Sequence, residues 1–209
     1  MDRGPSQSTR FLRPVRLKCS THAPQTLPND SDFHSGSEIR AQIRAADFQI
    51  TKINRDLITA PQYAYSGAEQ KRETRERWLR VEAQFSAAPD FTEELTFKYY
   101  ILLGEKVLTG DVTHVNILAG REHYSSIYIP PHVIAFVMQN RPVNTTSIGN
   151  IGVQLLQKGE VKDELSLNPA RPRWYASLPA LPGMILNKNE TPFAPLFSDY
   201  YEQIKPASH

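Results

Sequence analysis

The sequence predicts an all-β protein, an immunoglobulin-like antiparallel β-sandwich of about seven strands with one short connecting helix and an extended C-terminal arm. Three observations support this prediction. Apolar and polar residues alternate in most segments, and these segments recur about every 8–15 residues, the spacing expected of a sandwich. Prolines (16) also outnumber glycines (10), which favours strands and extended arms over helix bundles. A small closed β-barrel is the main alternative architecture.

The basic N-terminal segment predicts a disordered tail over residues 1–34. Its first 18 residues hold five basic side chains and one acidic side chain, and four prolines interrupt the tail. This composition offers too little apolar surface to offset the entropy lost on ordering. Ser35 and Glu38 then have the spacing of a capping box, which predicts a short helix or spacer over residues 35–46.

The sandwich is predicted over residues 47–181, and its first strands alternate clearly. Residues 48–53, 79–85 and 95–103 place apolar side chains at every second position, as half-buried strands do. Residues 104–106 are a tight link, so we expect the third of these strands to form a hairpin with the segment that follows.

That following segment, residues 107–117, changes the phase of its alternation. A β-bulge or a switch between sheets near Thr113 and His114 would produce such a change. Residues 119–121 are predicted to turn the chain into a further strand over residues 123–129.

Two prolines separate these strands from the last pair. Pro130 and Pro131 cannot donate to a ladder, so they end the strand. Apolar residues at helical spacing follow and predict a helix of one to two turns: Val133, Phe136 and Val137. Residues 151–155 and 161–167 then predict a hairpin around a Lys158-Gly159 turn.

Nine side chains share the inward parity of these strands. We expect them to line the core of the sandwich. They are Leu79, Val81, Phe85, Phe97, Tyr99, Ile101, Ile127, Val153 and Leu155.

The C-terminal arm, residues 182–209, combines prolines with many aromatic side chains. Disordered tails are rarely so aromatic, so we expect the arm to bury rings on its own sandwich or on a neighbouring subunit. Its prolines favour an extended backbone and remove donors, so side-chain anchoring should contribute more than ladder bonds. A short strand is possible over residues 184–187. The candidate interaction residues are Phe193, Leu196, Phe197, Tyr200, Tyr201, Trp78 and Trp174.

The sequence carries none of the common catalytic or cofactor motifs, so we predict a non-enzymatic protein without cofactor or metal. The single cysteine, Cys19, excludes an internal disulfide. His114 and His123 could meet across strands, and two histidines with a carboxylate can bind zinc. The spacing suggests no third ligand, and it favours histidines on the surface of the sheet. No apolar run approaches the about 20 residues of a membrane helix.

Three stretches carry a resemblance to a known family: residues 94–102 (ELTFKYYIL), residues 112–126 (VTHVNILAGREHYSS) and residues 187–197 (NKNETPFAPLF). The chain resembles small envelope proteins of verrucomicrobia, a group of bacteria that includes the gut mucin degrader. These proteins are encoded in a type IV pilus-like gene cluster. The resemblance covers about residues 45–205. It implies an immunoglobulin-like sandwich related to archaeal type IV pilus subunits, and no catalytic residues.

The resemblance implies a structural or interaction protein of the bacterial cell envelope, periplasmic or at the surface, that is accessory to a type IV pilus-like system. Its partners would be envelope or pilus-assembly proteins, with a homo-oligomer possible and no nucleic acid. The chain departs from the family in that its start shows no export signal. The alternative hypothesis is a carbohydrate-binding module that uses exposed tryptophan and tyrosine side chains.

Overall fold

The structure is a computed structural model that describes residues 46–63, 76–169 and 173–206. The predicted tail and the predicted spacer helix lie outside the described residues, apart from Ala46. No helix in the described part of the chain is long and apolar enough to cross a membrane.

Seven strands and one α-helix make up the described fold. In chain order they are β1 (Phe48–Thr59), β2 (Arg77–Leu103), β3 (Lys106–Ile129), α1 (Pro131–Met138), β4 (Ile148–Gln157), β5 (Glu160–Ser166), β6 (Ala180–Pro182) and β7 (Leu186–Asn187). Three single-turn 3₁₀ helices lie at Thr145–Ser147, Trp174–Ser177 and Lys188–Glu190. The predicted all-β sandwich is confirmed.

The centre of the fold is one long, bent hairpin formed by β2 and β3. The sequence predicts four strands here, but β2 has 27 residues and β3 has 24, and both continue through the expected breaks. The pairing register shifts between Phe85 and Ala87 and again between Ala87 and Phe91. Such irregularities bend a strand without ending it, so each strand turns the corner between the two layers.

Because β2 bends, it contributes to both layers of the sandwich. Its first half pairs with β1 and its second half pairs with β4, while β5 continues the sheet beyond β4. Where β1 meets β5, the Ile50 amide donates to Oδ2 of Asp163 at 2.6 Å. Among the described strands no ladder joins β1 to β5, so the sheet folds over on itself and does not close into the alternative barrel.

The remaining edge of β3 is covered by the C-terminal part of the chain. Strand β6 runs parallel to the beginning of β3, and β7 runs antiparallel to its end. The sheet is therefore mixed, whereas the sequence predicts only antiparallel pairing. The predicted short strand over residues 184–187 is confirmed in part, as β7.

Two local irregularities change which side chains face the core. The β1–β2 register shifts between Ile50 and Lys52, so Ile53 is buried and Lys52 is exposed, the reverse of the predicted alternation. In β3 the inward parity passes from His114 to Ile117 across Asn116, whose φ of 58° is left-handed. The predicted change of phase thus occurs two to three residues after its expected position.

The hydrophobic core lies between the two layers. All nine predicted core side chains are at most 1% exposed, which confirms the inward parity of the strands. Helix α1 closes one side with Val133, Ile134 and Val137, but Phe136 is 61% exposed and lies under the Lys106 ammonium. In β5 the apolar residue Val161 is 49% exposed, because the strand lies at the edge of the sheet.

Candidate functional site

The C-terminal arm docks on the sandwich of its own chain, along β3. Near its start, Leu186 and Asn187 pair with Tyr128 and Ile127. Near its end, the Val115 amide donates to the Gln203 carbonyl at 2.9 Å and the Lys205 amide donates to the Thr113 carbonyl at 2.8 Å. Ladder bonds therefore hold both ends of the arm, which is more backbone pairing than its prolines lead us to expect.

Phe193 anchors the middle of the arm. Its ring is only 6% exposed, stacks on Tyr128 with 4.9 Å between centroids, and meets the edge of Trp78 at 5.7 Å. Trp78 is a predicted interaction residue, but here it is half-buried beneath the arm. Burying a phenylalanine side chain contributes about 1.5–3 kcal/mol, enough to hold a short segment in place.

Tyr201 is the second anchor, at the end of the arm. It is 8% exposed, and its hydroxyl donates to Oε2 of the buried Glu82 at 2.7 Å. The other carboxylate oxygen accepts a longer bond from Asn54, at 3.4 Å. Burial raises the pKa of Tyr201, and the adjacent Glu82 carboxylate raises it further.

A buried lysine shapes the turn between the two anchors. Lys188 donates to the Ala194 carbonyl at 2.8 Å, and its ammonium lies 5.6 Å from the centre of the Tyr201 ring. Desolvation lowers the pKa of Lys188. Asn187 and Glu190 form a reciprocal capping box around this turn. Asn187 and Glu190 are three positions apart in the sequence, which is the spacing of a capping box, and this spacing is the sequence signal for the cap.

The tip of the arm presents two rings to solvent. Phe197 is 61% exposed and Tyr200 is 44% exposed, while Leu196 is half-buried. Tyr200 stacks on Tyr124 with 4.2 Å between ring centroids. Phe197 has a φ of 54°, an uncommon conformation for a non-glycine residue, and amides of Tyr200 and Tyr201 donate to its carbonyl. We call Phe197 and Tyr200 the tip pair.

Trp174 belongs to a different cluster, on the outer side of β4 and β5. Tyr100 and Tyr175 stack with 3.7 Å between centroids, and Trp174 meets Tyr175 edge-on. The Trp174 indole donates to Ser166 at 3.3 Å, and the Tyr175 hydroxyl donates to Glu164 at 3.0 Å. The structure therefore separates the two predicted tryptophans, since Trp78 packs under the arm.

His114 and His123 do lie close together, but they are buried instead of lying on the surface as the pattern favours. His114 is 1% exposed and His123 is 9% exposed. Both contact Glu202 of the arm. His114 Nδ1 lies 3.1 Å from the Glu202 carbonyl, and His123 Nδ1 lies 2.6 Å from its Oε1. Both rings lie on the inward face of β3, His114 with the parity of Val112 and His123 with that of Ile127, and Glu202, about 80 residues away in sequence, contacts both of them.

The two histidines lie in a buried and sterically tight environment. Burial lowers the pKa of His114 to about 4. His123 Nε2 is buried without a hydrogen-bond partner and packs against Gly120, where an added Cβ would lie 2.5 Å from it. In the described part of the chain no cluster of three or more histidine, cysteine, aspartate or glutamate side chains could hold a metal ion.

Comparison with known proteins addresses the family and the fold. A crystal structure of a protein from Akkermansia muciniphila aligns with a TM-score of 0.69 and 20% sequence identity, over 77% of this chain and 94% of that chain. Comparison with curated proteins gave no match. A protein-family model matches residues 39–208. Because that match spans most of the chain, the chain belongs to this family, and it shares its fold with the Akkermansia muciniphila protein.

Proposed function

We propose that the chain is a non-enzymatic structural or interaction protein of the bacterial cell envelope, accessory to a type IV pilus-like system. Membership of a protein family and the fold shared with a protein from the bacterium Akkermansia muciniphila support a bacterial protein of this β-sandwich type. The pilus assignment comes from the three stretches of sequence described above.

The observation that carries the proposal is the tip pair. Two buried anchors, Phe193 and Tyr201, fix the arm on the sandwich, while Phe197 and Tyr200 remain exposed between them. Hydrogen bonds to the Phe197 carbonyl fix the backbone of the tip, so this backbone loses little conformational entropy when a partner covers the two rings. Aromatic side chains of this kind dominate the energetics of protein interfaces. The tip pair is therefore the surface that we assign to a pilus-like partner.

The test compares two phenylalanines of equal exposure. Phe197 and Phe136 are both 61% exposed, one at the tip and one on α1. Native cells that produce the tagged protein are first separated into membrane and soluble fractions. The tagged protein is then purified, and the subunits of the pilus-like filament that are recovered with it are measured. We expect Phe197→Ser to lower the recovery of filament subunits about tenfold or more, as loss of an interface anchor does. Phe136→Ser should leave recovery unchanged. Equal recovery with both variants, or absence of the protein from envelope fractions, would contradict the proposal.

A second candidate function is carbohydrate binding, favoured by the cluster of Tyr100, Trp174 and Tyr175. Hydrogen bonds from Trp174 and Tyr175 fix their rings on one side of the sheet, and tyrosine and tryptophan rings of this kind stack on sugars. A glycan array tests it. Reproducible binding by the wild type that Trp174→Ala abolishes and Trp78→Ala preserves would favour this candidate over the first.

A further inference from the structure

Two tyrosine rings lie face to face on the outer side of the sheet, where the segment that follows β5 packs on β2. Tyr100 belongs to β2, and Tyr175 belongs to the 3₁₀ helix Trp174–Ser177. We propose that this pair is a site of oxidative modification. A one-electron oxidant, of the class of a haem peroxidase with hydrogen peroxide, couples the two rings to dityrosine and ties the 3₁₀ helix covalently to β2.

The two rings overlap almost completely. Their planes differ by 7° and their centroids are 3.7 Å apart. That separation is within the optimal contact distance of two carbon atoms, about 3.5–4.0 Å, so little sideways offset remains. Aromatic pairs prefer an offset or an edge-to-face arrangement over such a sandwich. The overlap therefore needs a further group that holds the two rings in register.

Gln154 of β4 is that group. Its Oε1 accepts from the Tyr100 hydroxyl at 3.0 Å, and its Nε2 donates to the Tyr175 hydroxyl at 2.8 Å. Because one amide holds both hydroxyls, the two rings point the same way. The Cε atoms beside the hydroxyls are then stacked as well, and these are the carbon atoms that join in dityrosine.

A carboxylate is placed to accept the proton of Tyr175. A tyrosine in water keeps its proton below about pH 10, so its oxidation at neutral pH must release the phenolic proton. The Tyr175 hydroxyl donates to Oε1 of Glu164 at 3.0 Å, and Oε2 of the same carboxylate accepts from Gln154 at 2.9 Å. Proton transfer requires an acceptor within hydrogen-bond distance, and Glu164 meets this requirement.

The coupling balances in electrons and protons. Each ring gives up one electron and its phenolic proton. Tyr175 passes its proton to Glu164, and the half-exposed Tyr100 releases its proton to water. The two phenoxyl radicals form one carbon–carbon bond between a Cε atom of each ring. Each of these carbons then loses its hydrogen as a proton while each oxygen regains one. The two electrons and two protons that leave the pair reduce one hydrogen peroxide to two waters.

A second stacked pair, Tyr124 and Tyr200, lacks this arrangement. Its centroids are 4.2 Å apart and its planes differ by 19°. In the described part of the chain no carboxylate accepts a hydrogen bond from either hydroxyl. Tyr200 is nevertheless 44% exposed and open to an oxidant. This pair is therefore a control within the same chain, in which exposure favours oxidation and geometry does not.

The cross-link would supply a covalent constraint of a kind that cysteine does not provide in this chain. The single cysteine, Cys19, excludes an internal disulfide. A bond between Tyr100 and Tyr175 closes a loop of about 75 residues, and closing a long loop stabilises mainly by restricting the unfolded chain. The oxidised protein should therefore unfold at a higher urea concentration than the unmodified protein.

The experiment treats the dilute full-length chain with a haem peroxidase and limiting hydrogen peroxide, and free tyrosine is the positive control for the oxidant. Dityrosine fluorescence and the loss of two hydrogen atoms from the intact monomer report coupling. Tandem mass spectrometry of tryptic peptides locates the bond. We expect it to join Tyr175 to Tyr100 and not to the neighbouring Tyr99, which is buried and donates to Ser125.

Two results would overturn the proposal. One is coupling of Tyr124 with Tyr200 instead. The other is no coupling within the monomer under conditions in which free tyrosine couples. Both readings use the wild-type protein, so they do not depend on whether a variant folds.

Variants test the separate parts of the site. Tyr175→Phe keeps the stacked ring and should abolish coupling of Tyr100, whereas Tyr200→Phe should leave it unchanged. Glu164→Gln keeps an acceptor for the hydroxyl but removes the basic carboxylate, so the yield per oxidant should fall about tenfold or more. A wild-type yield in Glu164→Gln would contradict the role of the carboxylate. Equal urea midpoints for oxidised wild type and oxidised Tyr175→Phe would contradict the stabilising role of the bond.

Discussion

The hydroxyl of Tyr201 donates to the carboxylate of Glu82 at 2.7 Å, although 119 positions separate the two residues in sequence. Both side chains are buried, so the bond links the last turn of the arm to the outer face of β2. A buried carboxylate needs its donors, and this one has a single short bond. The stability of the arm and of the sandwich should therefore be coupled at this point.

Tyr201→Phe should destabilise the protein by about 1–3 kcal/mol, because Glu82 would keep only the longer bond from Asn54. Urea unfolding of the wild type, both single variants and the double variant with Glu82→Gln measures the coupling. The cost of Tyr201→Phe should shrink in the Glu82→Gln background, where no charge is left buried. Equal costs in both backgrounds would show that the bond does not serve the carboxylate.

Phe193→Ala should cost about 3–5 kcal/mol, the range for a buried phenylalanine. The ring would leave a cavity between Trp78 and Tyr128, which both contact it. Phe197→Ala is the control, since a 61% exposed ring contributes within about 0.5 kcal/mol. Thermal and urea unfolding can compare the two, and similar losses in both variants would contradict the assignment of anchor and tip.

Gly120→Ala should destabilise the protein by about 1–3 kcal/mol, as overpacking does. The new methyl would lie 2.5 Å from His123 Nε2 and push the ring away from Glu202. Gly152→Ala is the matched control in β4, because its nearest contacts of 3.5 Å are ordinary. A neutral result for Gly120→Ala in urea unfolding would mean that the His123 ring moves freely.

Stability should also fall at alkaline pH. Burial raises the pKa of Tyr99 and of Tyr201, whereas an unfolded chain ionises its tyrosines near pH 10. The folded state therefore keeps protons that the unfolded state releases, and stability is lost as the pH rises above about 10. Ultraviolet difference absorbance should show a group of tyrosines that ionise only with unfolding. In Tyr99→Phe the stability should depend less steeply on pH.

Truncation after Pro182 should lower the melting temperature. It removes β7, both anchors and the residues that cover His114 and Tyr128. Light scattering of the same sample reports whether the uncovered surface drives association. A truncated chain that keeps both its melting temperature and its oligomeric state would show that the arm is not part of the fold.

Clean alternation made the strands and the core predictable. Each of the nine predicted core residues lies in a segment where parity is uninterrupted, and parity reports the buried face directly. The bends in β2 and β3 were not predictable from alternation. Pro89 and the Ala119-Gly120 pair resemble turn signals, yet the chain continues through them as bent strand, because tertiary pairing between β2 and β3 overrides local preference.

The candidate site was predictable only as a list of rings. Composition indicated that the arm must bury aromatic side chains, but it could not separate Phe193 from Phe197, four positions later. That difference depends on the turn built by Lys188 and by the left-handed backbone of Phe197. The two histidines were predicted on the surface, whereas they lie on the inward face of β3, where Phe97 and Phe85 pack against them and Glu202 of the arm contacts both.

The coverage of β3 by the arm has a consequence for biosynthesis. An uncovered strand edge offers unpaired amides and carbonyls to any other chain and promotes aggregation. The arm leaves the ribosome after β3, so the hairpin of β2 and β3 must wait for its cover. Until Gln203 and Lys205 reach Val115 and Thr113, each nascent chain carries an open template for its neighbours, and a chaperone that shields this edge would raise the yield of folded protein.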